Sequence, residues 1–171
     1  RFAAKKERLY RKIKQLEIPV GSYWQGSVPI PQEALALYIS VNPRSQVKAA
    51  KNLLIKLADL VTKPYNSYNI SAEALSEIQK ACSRKIYSDF DIDFDEKTWG
   101  IDYAIEVAKH INPEAANFLA TKNGLHILVE TSKINSEHSR TWYNGLAALP
   151  GCDTKGDSMI PVPGCYQGGF V

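Results

Sequence analysis

The stretch "KIYSDFDIDFDEK", residues 85 to 97, sets Asp89, Asp91, Asp93 and Asp95 at every second position. On a β-strand, alternate residues point the same way, so Asp89, Asp91 and Asp93 project from one face. Ile86, Ser88, Phe90, Ile92 and Phe94 then take the other face, whose apolar character sets the register. Carboxylates ~7 Å apart on one face repel each other, and a divalent cation is the simplest relief. A small set of hard oxygen ligands suits Mg²⁺ or Mn²⁺, with water and substrate phosphates completing the shell. The plainer reading is the charged outer face of an edge strand, which discourages edge pairing. Four acids in alternation, on a strand lying between two helical stretches, argue instead for an interior strand.

Two further stretches carry possible chemistry. In "TKNGLHILVET", His126 lies two residues after Gly124 of a hairpin turn, near Thr121, Lys122 and Asn123. Lys122 and the turn amides can donate to a phosphate and the imidazole can add another donor, although a lone strand histidine is also an ordinary core residue. In "GDSMIPVPGCYQGGF", Asp157 precedes a short strand, and Gly164, Gly168 and Gly169 permit close approach of backbone to a ligand. Asp157 is thus a candidate third carboxylate beside Asp89 and Asp91, set against a plain β-turn-β connection.

The positioning elements follow from periodicity. Residues 2 to 16 read as a helix and "IPVGSYWQGSVPIP" as a loop. "ALALYIS" reads as a strand, "VNPRS" as a turn, and "SQVKAAKNLLIKLADLV" as a helix opened by Ser45. A helix capped by Ser71 covers "SAEALSEIQKAC". After the aspartate strand, Ile101, Ile105, Ala108 and Ile111 mark a third helix. "ANFLAT" and "LHILVET" form a hairpin around Asn123-Gly124. A helix spans Ser136 to Leu149, and "DSMIPVPG" and "CYQGGFV" are short β-like pieces. The expected class is α+β, with helices packed on a sheet that contains residues 86–94 and the hairpin near 116–131.

The 171 residues, 44% apolar and 23% charged, suit one globular domain. The chain starts at Arg1 and stops on an apolar segment, as expected of a domain cut from a longer protein. Its first 17 residues hold seven Lys or Arg against two Glu. The cations Lys5, Lys6, Arg8, Arg11 and Lys12 form either a solvated face or a contact to phosphate backbone. Three dispersed cysteines point to a reducing, intracellular compartment, cytoplasmic if the source is bacterial, archaeal or phage. A zinc site from Cys152, Cys165 and His138 matches no common ligand spacing. No apolar run approaches ~20 residues, so no membrane span is expected.

The three stretches, in this order, resemble the motifs of the archaeo-eukaryotic primase superfamily, the primase-polymerases. "IYSDFDID" corresponds to its D-x-D strand, "KNGLHILV" to its histidine hairpin and "GDSMIPVPG" to its later acidic strand. Gly124 stands where serine is common. The resemblance implies an RRM-like catalytic sheet with flanking helices in residues 85–171 and a smaller N-terminal α/β subdomain in residues 1–84. It implies a metal pair at Asp89 and Asp91 (or Asp91 and Asp93), completed by Asp157 and loaded with Mg²⁺ or Mn²⁺. Thr121, Lys122, Asn123 and His126 would bind the nucleotide, and Arg44 with the basic helix would contact nucleic acid. The implied activity is that of a DNA primase or DNA polymerase, adding NTPs or dNTPs to a 3′-hydroxyl on a single-stranded or primed DNA template, with a helicase as a common companion. D-x-D strands also occur in nucleases and sugar transferases, and a non-catalytic nucleic-acid-binding domain is a further alternative.

Overall fold

The computed structural model describes residues 4–16, 24–30, 37–62, 69–121, 123–153 and 159–163. The chain divides into two compact units, residues 1–37 with 162–171, and residues 38–161. In the first, a short turn of helix at Lys6–Arg8 runs into α1 (Leu9–Leu16), and β1 (Trp24–Gln25) pairs antiparallel with β2 (Val28–Pro29). The stretch read as a loop thus contains a small hairpin. Its turn is made possible by Gly26 at φ +63°, a conformation that L side chains rarely adopt.

The second unit holds the aspartate strand. β3 (Tyr38–Ser40) leads to α2 (Gln46–Val61), where Ser45 caps the helix by accepting from the Lys48 amide at 3.1 Å, as the sequence suggests. In α3 (Ile70–Lys80) the cap is Asn69 and not Ser71: extended backbone at Asn69 lets its side chain accept from the Ala72 amide, which leaves Ser71 inside the first turn. β4 (Tyr87–Asp93) follows, then α4 (Tyr103–Ala108), β5 (Ala116–Ala120), β6 (Gly124–Glu130), α5 (Trp142–Ala147), β7 (Cys152–Asp153) and β8 (Met159–Pro161).

Four of these strands form one sheet in the order β5-β6-β4-β7, antiparallel throughout, while β8 pairs with β3 in a separate two-stranded ladder. From β4 to β7 the connectivity is β-α-β-β-α-β, the split-βαβ arrangement. β4 is interior, with β6 along one edge and β7 on the other. Phe90 and Ile92 of β4 are fully buried with Ile127 and Val129 of β6, against Val107 of α4, Ile111 beyond it and Leu146 of α5. Phe90 meets Trp142 edge-on at 6.0 Å and Tyr143 at 5.3 Å. Both helices therefore cover the face opposite the aspartates.

The helices are shorter than periodicity suggests. α4 is opened by Asp102, which accepts from the Ala104 and Ile105 amides, and its buried positions are Tyr103 and Val107, while Ile105 is exposed. Residues 136–141 are turns that precede α5. β7, two residues long, pairs with β4 only at Asp91 and Ile92. Upstream of it, the Asn42 side chain substitutes for a missing strand: its amide nitrogen donates to the Tyr87 carbonyl at 2.8 Å, and its oxygen accepts from the Ile86 and Tyr87 amides at 2.7 and 2.9 Å. Two glycines flank the other end of β4. A Cβ at Gly124 would lie 2.1 Å from the Ile92 carbonyl oxygen, and one at Gly151 would lie 2.5 Å from that of Asp93.

Gly124 is therefore a packing requirement. Gly124→Ser is expected to cost about 1–3 kcal/mol, read as a lower denaturant midpoint with an unchanged slope, because β6 must move off β4 to admit the side chain.

Candidate functional site

The pleat of β4 carries the site. Its burial alternates, with Ser88, Phe90 and Ile92 buried and Tyr87, Asp89, Asp91 and Asp93 on the face away from the helices. Residues directly opposite each other in a sheet share a face, so the register decides what joins the acids. Asp91 pairs with His126 on β6 and with Asp153 on β7, Asp89 pairs with Leu128, and Asp93 pairs with Gly124. A transverse row of Asp153, Asp91 and His126 crosses three strands. Asp95 leaves this pattern: β4 ends at Asp93, and the Asp95 side chain accepts from the Lys97 and Thr98 amides to close the next turn.

His126 sits between two carboxylates. Its Nδ1 lies 3.1 Å from Asp89 Oδ1 and its Nε2 lies 3.7 Å from Asp91 Oδ1. The Asp89 and His126 side chains are each 7% exposed, whereas Asp91 is 44% exposed, so the row has a buried pair and an outer acid. The Asp89 hydrogen bond raises the pKa of His126 above its ordinary 6.5; burial opposes this, and the charges of Asp89, Asp91 and Asp93 add to it. Desolvation raises Asp91 above the usual carboxylate value, opposed by His126 and reinforced by Asp93, Asp89 and Asp153. Asp91 is thus an acid whose ionised form is held at a cost, a pattern common where a site awaits a cationic partner.

Asp153 is the residue that sequence reasoning missed. Cys152 points to the helical core and Asp153 to the acidic face, but two residues are too few for period-two alternation to register. Of the other candidates, Thr121 and Asn123 lie at the β5–β6 turn, where the Asn123 carbonyl accepts from the Phe94 amide at 2.9 Å. The turn therefore flanks the Asp93 end of β4. Arg44 bridges to Cys82 away from this row. Lys5, Lys6, Arg8, Arg11 and Lys12 belong to the other unit. Lys122 and Asp157 lie outside the described residues, as does Cys165. The Cys152 thiol, packed against the core, is pushed up to about 11 by burial first and then by Asp153, Asp91 and Asp89, which makes it a poor metal ligand.

Among the described residues, no group of three or more His, Cys, Asp or Glu side chains is arranged to hold a metal ion. A closed protein cage, such as structural zinc uses, is thereby absent from that part of the chain. Mg²⁺ asks for less: one or two carboxylates, with water and phosphate oxygens filling the octahedron. Asp91 and Asp153, directly opposite each other on β4 and β7, are two carboxylates of the kind that demand calls for, while Asp89 Oδ1 lies against His126 Nδ1. Among the described residues, no helix is long and apolar enough to cross a membrane.

Both pKa shifts are upward, so both groups lose their stabilising contribution as pH rises: His126 from about 6.5 through its raised value, Asp91 from about 3.8 through its own. In chelator, the stability advantage of the native chain over His126→Gln should be largest near about pH 5.5 and shrink toward about pH 8.5, in paired denaturant melts. Under the same chelating conditions near neutral pH, Asp91→Asn should melt about 1–3 °C above the native chain, because it removes a repelled, partly desolvated charge.

No protein-family model, no curated protein and no solved structure matches this chain, so the residues and their geometry alone carry its functional reading.

Proposed function

We propose that this chain is a primase-polymerase-type nucleotidyl transferase, which joins an NTP or dNTP to the 3′-hydroxyl of a strand paired to a DNA template. The observation that carries the reading is the row Asp153, Asp91 and His126 across three neighbouring strands, on the face free of α4 and α5. The split-βαβ connectivity supports it, since an RRM-like catalytic sheet has that order of elements. The motif order of the sequence supports it independently.

The chemistry suits the residues. The 3′-hydroxyl attacks the α-phosphorus, the bond to the bridging oxygen breaks, and pyrophosphate leaves. Mg²⁺ or Mn²⁺ would supply the Lewis acidity that favours the attacking alkoxide and neutralises the leaving oxygens. Asp91 and Asp153 are the residues that would hold it, with Asp93 and Asp157 as further carboxylates. In this reading Asp89 is a positioning residue: its carboxylate beside Nδ1 raises the His126 pKa, which favours the protonated ring, and turns Nε2 toward the outer acid, where an imidazolium would donate to a phosphate oxygen. Thr121, Lys122 and Asn123 at the turn would contact the triphosphate tail. Such a reaction needs no protein nucleophile, because positioning and electrostatics do the work. The enzyme would act intracellularly, on single-stranded or primed DNA, alongside a helicase.

The test is extension of a labelled primer on a DNA template with Mg²⁺ or Mn²⁺, each nucleotide set supplied separately. Asp91→Ala and Asp153→Ala should each lower extension by about 10²-fold or more, whereas Asp89→Asn should weaken it less and flatten its pH profile. Undiminished extension by Asp91→Ala would overturn the assignment. Cleavage of DNA without incorporation would move the site to a nuclease, transfer of a nucleotide sugar would move it to a glycosyltransferase, and DNA binding indifferent to metal and nucleotide would leave a non-catalytic domain.

A further inference from the structure

We infer that α2 is a self-association surface, through which two copies of this chain pair antiparallel about a two-fold axis. Val47, Ala50, Leu54, Ala58 and Val61 follow one another at steps of three, four, four and three. Such steps return to the same side of a helix, so the five residues form one apolar stripe about four turns long. The opposite face is already used. Ala49 is buried there, Leu53 and Leu60 are half-buried, and Lys56 pairs with Glu73 and Glu77 of α3. The stripe points away from α3 and is bare: Val47, Leu54 and Val61 are 83%, 69% and 79% exposed, and Ala50, Ala58 and the adjacent Ile55 are exposed as well. A helix that is apolar on both faces belongs in an interior. Among the described residues, no helix is long and apolar enough for that interior to be a membrane.

Symmetry, charge and area select a second copy as what covers the stripe. Read from either end, the stripe is Val-Ala-Leu-Ala-Val with the same spacing. A two-fold axis at Leu54 therefore sets Val47 against Val61 of the second copy, Ala50 against its Ala58, and Leu54 against its own counterpart, the self-complementary contact that two-fold pairing requires. The charges of α2 run against its dipole: Lys48 stands in the first turn with no acid beside it, and Asp59 in the last turn with no base. An antiparallel neighbour reverses that disadvantage. Lys51 and Asp59 lie on the same side of the stripe, so across the axis the Lys51 side chain of each copy approaches Asp59 and the terminal carbonyls of the other. A parallel pair would instead set Lys51 on Lys51.

Side chains exposed to this degree present on the order of 500 Å² of apolar surface, at the upper end of what a soluble monomer leaves in one patch. Covering two such stripes with each other removes on the order of 1,000 Å² from water, the lower bound for a specific interface, so the pairing is reversible and weak, with a Kd of about 10 µM. It is independent of the nucleotidyl-transfer reading.

The experiment is sedimentation equilibrium of the 171-residue chain over about 1–200 µM, in which the mean mass should rise from 19.1 kDa toward twice that value. Leu54→Glu, which sets two carboxylates on the axis, should stay at 19.1 kDa at every concentration, and a melting curve matching that of the native chain establishes that it is folded. A charge series tests the orientation and decides the matter alone if Leu54→Glu unfolds. Lys51→Glu and Asp59→Lys should each raise the Kd about three- to tenfold, and the two together should restore it to within about twofold, because opposite signs again face each other across the seam. A native chain that remains monomeric throughout, including one that gathers on anionic lipid vesicles instead, would overturn the inference. So would a dimer that survives Leu54→Glu, or charge variants whose combination brings no rescue.

Discussion

Burying Phe90 and Ile92 between the sheet and its two helices holds β4 in a single orientation, and the rest of the site depends on that. A strand that slips by one residue turns every side chain to the opposite face, which here would drive Asp89 and Asp91 into the core. Full burial of the two apolar side chains is worth about 3–6 kcal/mol together. Cross-strand repulsion between like charges costs at most about 1 kcal/mol per pair. The hydrophobic term wins, so the chain tolerates a row of carboxylates that its own electrostatics disfavour. Ser88, on the same inward face, shows how strictly the pleat is enforced: its hydroxyl is buried without a hydrogen-bond partner.

On the outward face the same repulsion is partly answered from within. His126 stands where a cation would help most, hydrogen-bonded to Asp89 and near Asp91, and the pair Asp89–His126 is almost excluded from water. A buried charge pair of this kind adds little net stability, since desolvation offsets attraction, but removing one partner strands the other. Its value lies in orientation. Farther out, Asp91 is 44% exposed and Asp93 lies on the solvent side of the same face. The molecule thus separates an inner carboxylate that positions from an outer one that remains available.

The ends of β4 are held by different means. At its start the Asn42 amide completes backbone pairing that short β7 cannot supply. At its end, Gly124 and Gly151 let neighbouring backbone approach on both sides, and the Asp93 amide donates to the Gly151 carbonyl at 3.0 Å. Between these anchors the acids have little freedom to spread apart.

Much of this was legible in the linear chain. Period-two alternation over seven residues specified β4 and its two faces, because side-chain direction in a strand is a local property of the backbone. The hairpin before His126 and the Ser45 cap were equally local. Other features were not. The cap of α3, the short span of α4 and the pairing of β7 turned on which polar or apolar side chain found a tertiary partner. Asp153 could not be singled out from a two-residue strand; only the register with Asp91 gives it a role. Likewise, the meeting of Arg44 with residues 80–85 depends on a bridge between segments nearly forty positions apart. The sequence by itself determined which face of β4 is charged, through alternation. Tertiary structure alone decided which charges face each other there, because cross-strand register is set by the packing of the whole sheet against its helices.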